Sequence, residues 1–422
     1  MMESMGDYAR DVRHFIKLLI GKPDPWWYFD RFEKSMSPQS IARHDSLVSW
    51  AETSLLQKKI FENPQKYAES ADPLVRQGWE LKKGVEAQFK DMHTDLKSLR
   101  ILIHVPSGNV SPAGFSIFQN ILESFRFIGI AAEALAFGES TQGKLQSFKP
   151  TVLLTSDVAS YLSKIDWTAI AEYRKSNTLL IGLTAGLEEY GNTPLVGRLE
   201  WAKKHGVDFY YSYRTSEYVN TRKEYRPFHD AGYTIFSLPF GTNPLIYYPV
   251  PLDHKDLDYV FIVSSQGRLK GKKYWEYLRP FVHTHVGCIT GPGWSHDPHF
   301  AFNRDRDRYL YSRAKVGLNM HLPEQIRWSC EVNERTYQLA ACGVPQVTDH
   351  AKLLDTLFPR GALFIADTAR QYRDHCEHIL AHPEEAKERA LLAQKTVFEK
   401  YTTFHRASDF VTMVASHFKI LG

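Results

Sequence analysis

From Leu99 onward, short apolar runs alternate with segments of helical periodicity. The runs are continuous rather than alternating, which is typical of strands buried on both faces of a parallel sheet covered by helices. Before position 240 they are Leu99–Val105, Ala131–Phe137, Thr151–Thr155, Leu179–Leu183, Val207–Tyr210 and Thr234–Leu238. After position 256 they are Tyr259–Ser264, Thr284–Thr290, Lys315–Asn319, Pro345–Thr348 and Ala362–Ala366. The pattern predicts an α/β protein with two doubly wound, Rossmann-like domains.

The alternation of strand-like and helical segments also divides the chain into domains. Residues 1–97 read as an α-helical N-terminal extension without a strand-like run, and residues 98–240 as the N-terminal Rossmann-like domain. Three prolines interrupt residues 241–256, which we interpret as a linker. Residues 257–422 form the predicted C-terminal Rossmann-like domain, with a terminal helix. Ligands of such sheets bind at the carboxyl ends of the strands, so two facing domains would create one cleft.

Composition excludes several classes of protein. The formal net charge of +4 over 422 residues is too small to indicate a nucleic-acid binder. The four cysteines are far apart, which argues against a disulfide scaffold or a zinc ribbon and favours a cytoplasmic setting. No apolar run approaches the ~20 residues that span a bilayer. The aromatic cluster Trp26–Phe29 is expected to pack the helical extension onto the first α/β domain, although a membrane or carbohydrate contact is an alternative.

The first strand runs into a loop rich in glycine, serine and proline and then into an amphipathic helix. Gly108 and Gly114 in this loop would let the backbone approach a ligand, and the N–H groups at the helix start favour anions. The spacing is not GxGxxG, so the dinucleotide fingerprint is absent. A tight connection without a ligand explains the same residues equally well.

A basic segment, Ser264–Lys273, follows the first strand of the second domain. It is predicted to be a flexible loop at a strand's carboxyl end, where Arg268 and Lys270 would bind a diphosphate. A solvated basic loop is the alternative. The next strand closes on a glycine-rich loop, in which Gly291 would permit close backbone approach to a ring or a ribose.

The segment Cys330–Asp349 is the most informative. If residues 331–342 form a helix, then Glu331, Glu334, Arg335 and Gln338 share one face. A polar stripe followed by a small-residue turn suits the binding of ribose hydroxyls and phosphates. A solvent-facing helix with an internal ion pair fits the same pattern.

These residues also carry a resemblance to a known family. Residues 315–349 (KVGLNMH … EVNERTYQLAACGVPQVTD), with LLDTLFPRGALFI and YTTFHRASDF after them, resemble the C-terminal domain of GT-B glycosyltransferases. The resemblance is to the group-1, spore-maturation-protein (CgeB)-like branch. The loop GPGW and the linker LPFGTNPLIYYP fit that family in kind and order.

The resemblance implies a GT-B fold in which the second domain binds a nucleotide-sugar donor and the first binds the acceptor. Arg335 falls where the family carries an arginine, and Gln338 where it usually carries the glutamate that grips the donor ribose. A glutamine lacks the charge that strengthens bonds to hydroxyl groups. Glu331 or Glu334 would then supply the missing carboxylate.

Glycosyl transfer requires stabilisation of the leaving diphosphate and, for an inverting reaction, a base near the acceptor hydroxyl. Arg268, Lys270 and Arg335 would stabilise the diphosphate without a metal. Asp157 and His104, at the ends of two strands of the first sheet, are the candidate bases, although a structural hydrogen bond accounts for each as well. The eighteen histidines show no HExxH spacing, so neither a metal nor a cofactor is expected.

The sequence therefore predicts a cytoplasmic, metal-independent glycosyltransferase. Its predicted partners are a UDP- or GDP-sugar donor and a hydroxyl acceptor (a glycan, a lipid-linked or a small molecule), with no nucleic acid. The N-terminal helices are a candidate surface for self-association. The alternative is an inactive GT-B-like binding or scaffold protein, which the glutamine at position 338 favours. An NAD-dependent oxidoreductase is disfavoured because no GxGxxG follows a strand.

Overall fold

The computed structural model of the protein describes residues 17, 25–56, 63–108, 111–186, 194–252, 254–265 and 267–420. None of the helices in these ranges combines the length and apolar character needed to cross a bilayer.

The helices that precede the first strand are α1 (Pro25–Glu33), α2 (Pro38–Leu56), α3 (Pro64–Ala68) and α4 (Pro73–Phe89). The next elements are β1 (Arg100–Val105), α5 (Pro112–Phe127), β2 (Ala131–Ala136), α6 (Thr141–Phe148), β3 (Val152–Thr155), α7 (Ala159–Leu162), α8 (Trp167–Arg174), β4 (Leu180–Thr184), α9 (Leu195–Lys204), β5 (Phe209–Ser212), α10 (Ser216–Thr221), α11 (Arg226–Asp230) and β6 (Ile235–Ser237). A short 3₁₀ turn, Lys223–Tyr225, lies between α10 and α11.

The remaining elements are β7 (Leu257–Ile262), α12 (Gly267–Lys273), α13 (Arg279–Val282), β8 (Gly287–Thr290), α14 (Arg304–Arg313), β9 (Ala314–Asn319), α15 (Pro323–Trp328), α16 (Glu334–Ala341), β10 (Gln346–Asp349), α17 (Leu354–Leu357), β11 (Phe364–Ala366), α18 (Ala369–Ala381), α19 (Pro383–Lys400) and α20 (Thr403–His417). A π-helical turn, Tyr274–Leu278, joins α12 to α13. The predicted loop Ser264–Lys273 is therefore largely helical, since helical backbone begins at Gly267.

The strands form two parallel sheets. The first has six strands in the order β2-β1-β3-β4-β5-β6, and the second has five in the order β11-β10-β9-β7-β8. Each apolar run predicted as a strand overlaps one of these strands, and the prediction of two doubly wound α/β sheets is confirmed. The order reverses between β1 and β3 and between β7 and β9, where open sheets of this kind bind ligands.

The chain forms two compact units. One comprises residues 1–80 and 246–396 and contains the second sheet, and the other comprises residues 81–245 and 397–422 and contains the first. The first described helices belong to the unit with the second sheet. Phe29 and Phe32 of α1 are buried in a core with Trp294 and Tyr274. The expectation that the aromatic cluster packs on the first α/β domain is wrong, because the apolar face of α1 is covered by side chains that follow β7 and β8.

The final helix also differs from its predicted place. Its buried face packs on α5, where the rings of Phe410 and Phe125 are 5.9 Å apart. Ser124 Oγ donates a hydrogen bond to Thr403 Oγ1 at 2.6 Å. The sequence grouped this helix with the second α/β domain, whereas its contacts complete the core around the first sheet.

Replacing Phe32 by leucine tests this packing. Phe32 is fully buried and contacts the rings of Tyr274 and Trp294, so the smaller side chain should lower the free energy of unfolding by about 1 kcal/mol in urea denaturation. Trp26 on the same helix is 53% exposed, and Trp26→Leu should change the value by less than about 0.5 kcal/mol. Equal effects of the two substitutions would contradict the packing.

Candidate functional site

The carboxyl ends of β7 and β9 meet at the reversal point of the second sheet, and Arg335 joins them. Its Nε donates to the carbonyl oxygen of Ile262, the last residue of β7, at 2.8 Å. Its Nη1 donates to Oδ1 of Asn319, the last residue of β9, at 3.3 Å. Asn333 caps helix α16 by accepting from the Thr336 N–H, and so starts the helix at the position that directs Arg335 to both strand ends.

Lys270 lies beside this arginine. Its side chain is 6% exposed, and the described part of the chain provides its ammonium with neither a hydrogen bond nor an ion pair. Burial, followed by the positive charges of Arg335 and Lys273, lowers the pKa of Lys270 to about 7. A buried cation without a counter-ion is costly, and an anionic ligand at this edge of the sheet would supply the missing partner.

A second group of charges holds the basic helix in place. Asp349, the last residue of β10, accepts a hydrogen bond at 2.8 Å from the His321 ring, which follows β9. The other carboxylate oxygen forms an ion pair with Lys273 of α12. Burial alone would raise the pKa of Asp349, but His321 and Lys273 outweigh it and hold the value at about 2. The ionised carboxylate thus ties the helix that carries Lys270 to the strand ends.

The polar face predicted for residues 331–342 is shorter than expected. Helix α16 begins at Glu334, so Glu331 precedes the capping residue and is not on the helical face. Arg335 and Gln338 lie one turn apart, as predicted. Gln338 is buried, and its Oε1 accepts from the Tyr311 hydroxyl at 3.4 Å.

Gly291 directly follows β8 and has a φ of +142°, a conformation that favours glycine. A Cβ there would lie 2.1 Å from the Val263 carbonyl oxygen, so the close approach that this glycine permits is to the neighbouring strand. The same oxygen accepts from Trp294 Nε1 at 2.7 Å. Arg268 is the second residue of helix α12, and its side chain lies outside the described part of the structure.

In the unit that contains the first sheet, the candidate bases lie at the ends of β1 and β3. His104 is fully buried, with Nδ1 3.0 Å from Thr155 Oγ1 and Nε2 without a hydrogen-bond partner. Burial lowers the pKa of His104 to about 4, so the imidazole is neutral at pH 7. The carboxylate of Asp157 accepts from the Thr184 hydroxyl at 2.9 Å and forms a buried ion pair with Arg198.

The glycine-rich turn after β1 is only partly described, because residues 109 and 110 directly follow Gly108 and lie outside the described ranges. Ser111 caps α5 by accepting from the N–H of Gly114 at 3.3 Å. A Cβ on Gly114 would be 2.2 Å from the Tyr161 hydroxyl, so protein packing alone requires a glycine there.

Sequence reasoning missed Asn319, His321 and Asp349. Each lies at the end of a predicted strand of the second sheet or within two residues of it, and the rule that carboxyl ends of parallel strands meet at one edge would have found them. It also missed Arg198, whose pairing with Asp157 depends on how α9 packs. Within the described ranges, no group of three or more His, Cys, Asp or Glu side chains is arranged to hold a metal ion.

Comparisons with known proteins address the fold and part of the sequence. Residues 275–412 match a family model described as glycosyl transferase-like. No curated protein matches the sequence. Among solved structures, Anabaena Alr3699/HepE in complex with UDP-glucose is 12% identical, with 75% of this chain and 100% of that chain covered and a TM-score of 0.50.

Two further structures are similar at lower scores. Sucrose-phosphate synthase from Thermosynechococcus elongatus is 14% identical, covers 76% of this chain and 100% of its own, and has a TM-score of 0.48. T4 phage BGT with its UDP-glucose substrate is 11% identical, covers 75% and 98%, and has a TM-score of 0.46. Together with the sheet topologies, the HepE match shows the predicted fold: two Rossmann-like domains of the GT-B type.

Proposed function

We propose that this protein is a glycosyltransferase that moves a sugar from a nucleoside-diphosphate donor to a hydroxyl acceptor. The observation that carries the proposal is the buried cation Lys270 beside Arg335, at the reversal point of the second sheet. The glycosyl transferase-like match over residues 275–412 includes Arg335 and supports the same assignment. Within that class, we place the chain in the CgeB-like branch on the sequence motifs described above.

In the proposed reaction, the bond between the anomeric carbon of the sugar and the diphosphate oxygen breaks, and the acceptor oxygen bonds to that carbon. The acceptor proton passes to a base, and negative charge accumulates on the leaving diphosphate. Lys270 and Arg335, with Arg268, are proposed to stabilise this charge in place of a metal, in a site where water screens it poorly.

The ribose is proposed to contact Gln338 and Glu334 of α16. Glu331, which precedes this helix, is proposed as a further contact of the ribose. Because a charged acceptor forms stronger hydrogen bonds than an amide, the Glu334 carboxylate is the stronger candidate acceptor for ribose hydroxyls. Gly291 is proposed to shape the loop after β8 beside the donor site. Gly108 and Gly114 are proposed to let the backbone approach the acceptor.

Of the two candidate bases, His104 is favoured over Asp157. Its Nε2 has no partner and its ring is neutral at pH 7; in the tautomer whose Nδ1–H donates to Thr155, Nε2 has a free lone pair for a proton. Both oxygens of Asp157 are already engaged by Thr184, Gly186 and Arg198, an arrangement that suits a structural role.

The HepE structure was solved with UDP-glucose, which makes UDP the first nucleotide to test, with GDP next. We expect UDP at ~100 times its dissociation constant to stabilise the native state by about 2.7 kcal/mol, seen as a rise in melting temperature. ADP, CMP and NAD serve as controls. Release of UDP from UDP-sugars, with and without EDTA, then tests turnover and metal dependence.

The outcomes separate the alternatives. UDP or GDP binding with turnover that survives EDTA supports the proposal as stated. Nucleotide binding without turnover on any donor supports the inactive binding protein. A shift with NAD alone would contradict the proposed donor site.

A further inference from the structure

A cavity of about 980 Å³ lies within the unit that contains the second sheet. Lys315 at the start of β9 and Pro345 just before β10 form part of its wall, so it is at the amino ends of these strands. The proposed nucleotide site is at their carboxyl ends, roughly 15–20 Å away along strands of this length. The cavity is therefore separate from that site and large enough for an organic ligand of moderate size.

The wall combines apolar surface with an excess of cations. Its apolar part comes from the linker and from the starts or ends of helices, including Leu74, Val250, Leu252, Ile379 and Leu380. The charged side chains in the wall are five cations and two carboxylates: Lys66, Lys255, Arg313, Lys315, Lys387, Glu69 and Asp72.

Three of the cations already have carboxylate partners. Arg313 pairs with Asp256, Lys315 with Asp258 and Lys387 with Glu384. The carboxylates of the wall are also engaged: Asp72 accepts from the Leu74 N–H at 2.9 Å, and Glu69 accepts from Gln65 at 2.7 Å.

The other two cations, Lys66 and Lys255, have neither an ion pair nor a side-chain hydrogen bond within the described part of the chain. Lys66 is exposed, whereas Lys255 is partly buried. Burial lowers the pKa of Lys255, and the nearby Asp72 opposes that shift without a direct bond. Lys255 is thus a partly buried lysine in the wall of a cavity with apolar and cationic surface, and no described residue pairs with its ammonium.

We propose that this cavity is a second ligand site, which binds a small organic anion whose carboxylate or phosphate pairs with Lys255 and whose apolar body packs on the linker and helix walls. A bound anion would restore the ion pair that Lys255 lacks, and the apolar wall would add affinity by excluding water from the ligand's body.

The probe for this site is 8-anilinonaphthalene-1-sulfonate, an aromatic anion whose fluorescence rises when it is bound. We expect saturable binding to the intact protein, and at least tenfold weaker binding to Lys255→Glu. The control Lys352→Glu makes the same charge change at an exposed lysine outside the cavity wall and should bind like wild type. Ala71→Trp fills the cavity from an exposed position and should also weaken binding at least tenfold. Circular dichroism checks that Lys255→Glu and Ala71→Trp fold.

Competition distinguishes the chemistry. 1-Naphthyl phosphate and 1-naphthoate should displace the probe at least tenfold more effectively than neutral 1-naphthol, and whichever anion is stronger identifies the preferred charged group. Saturating UDP should not displace it. The proposal is overturned if wild type does not bind the probe, if Lys255→Glu and Lys352→Glu bind equally, if 1-naphthol competes as well as the anions, or if UDP displaces the probe. The first three of these outcomes depend neither on turnover nor on UDP binding, so they test the cavity even if the proposed function fails.

Discussion

Lys270→Met should weaken UDP binding by about 10- to 100-fold without lowering the melting temperature of the free protein. Methionine has a similar length and no charge, so it removes the proposed phosphate contact and also the cost of a buried ammonium. A hydrogen bond to a charged group contributes about 1.5–3 kcal/mol, which corresponds to that range of dissociation constants. Calorimetric titration with UDP and thermal unfolding measure the two effects.

The pH dependence gives an independent readout. Since the pKa of Lys270 in the free protein is about 7, the lysine is charged below that pH and becomes neutral above it. UDP binding at higher pH must then take up a proton, so affinity should fall as the pH rises from 7 to 9. The β-phosphate of UDP is already ionised in this range. In Lys270→Met this dependence should be absent.

Lys272→Met is the matched control, because Lys272 lies on the same helix but is 58% exposed and pairs with Glu276 on the surface. It should leave both UDP affinity and its pH dependence close to the wild-type values. Equal UDP affinity of Lys270→Met and wild type would contradict the role of Lys270 as a diphosphate contact, on which the proposed function depends.

Asp349→Ala should lower the free energy of unfolding by about 3–5 kcal/mol at pH 7, measured by urea denaturation. Asp349 is 2% exposed and bonded to both His321 and Lys273, so its loss leaves a buried histidine and a partly buried lysine without their carboxylate. The comparison variant is Asp367→Ala, which removes an exposed carboxylate paired with His350 and should cost less than about 1 kcal/mol.

Acid should diminish the difference between Asp349→Ala and wild type. The folded pKa of about 2 lies below the usual 3.8, so the carboxylate's contribution is complete above about pH 4 and is lost as the pH falls through 2. Over this range the free energy of unfolding of the wild type should fall by about 2 kcal/mol more than that of the variant, which lacks the carboxylate. A difference between the two proteins that is the same at pH 7 and pH 2.5 would show that Asp349 stabilises the fold by packing alone.

The candidate site was partly predictable from sequence. Lys270 was predicted from a basic segment that follows a buried strand, where an open sheet would bind phosphate. Arg335 was predicted from the polar face of residues 331–342 and from the family resemblance. Asn319, His321 and Asp349 escaped notice since none of them belongs to a motif or to a run of charged residues. Their importance depends on β9 and β10 being neighbours in the sheet, which only the strand order reveals.

What the sequence by itself determined is the set of buried strands and the fold class, because a continuous apolar run between helical segments specifies a strand covered on both faces through local patterning alone. What only the tertiary structure decided is which surface covers each helix and which charges become partners. Phe29 of α1 and Phe410 of α20 lie on apolar faces that the sequence reveals without showing what covers them, and each packs in a unit other than the one predicted for it. The same holds for Lys255: its charge is visible in the sequence, but that none of the described residues pairs with it follows from the packing of chain segments far apart in sequence. Hydrophobic burial is non-directional, so an apolar stripe specifies that a face is covered without specifying by what.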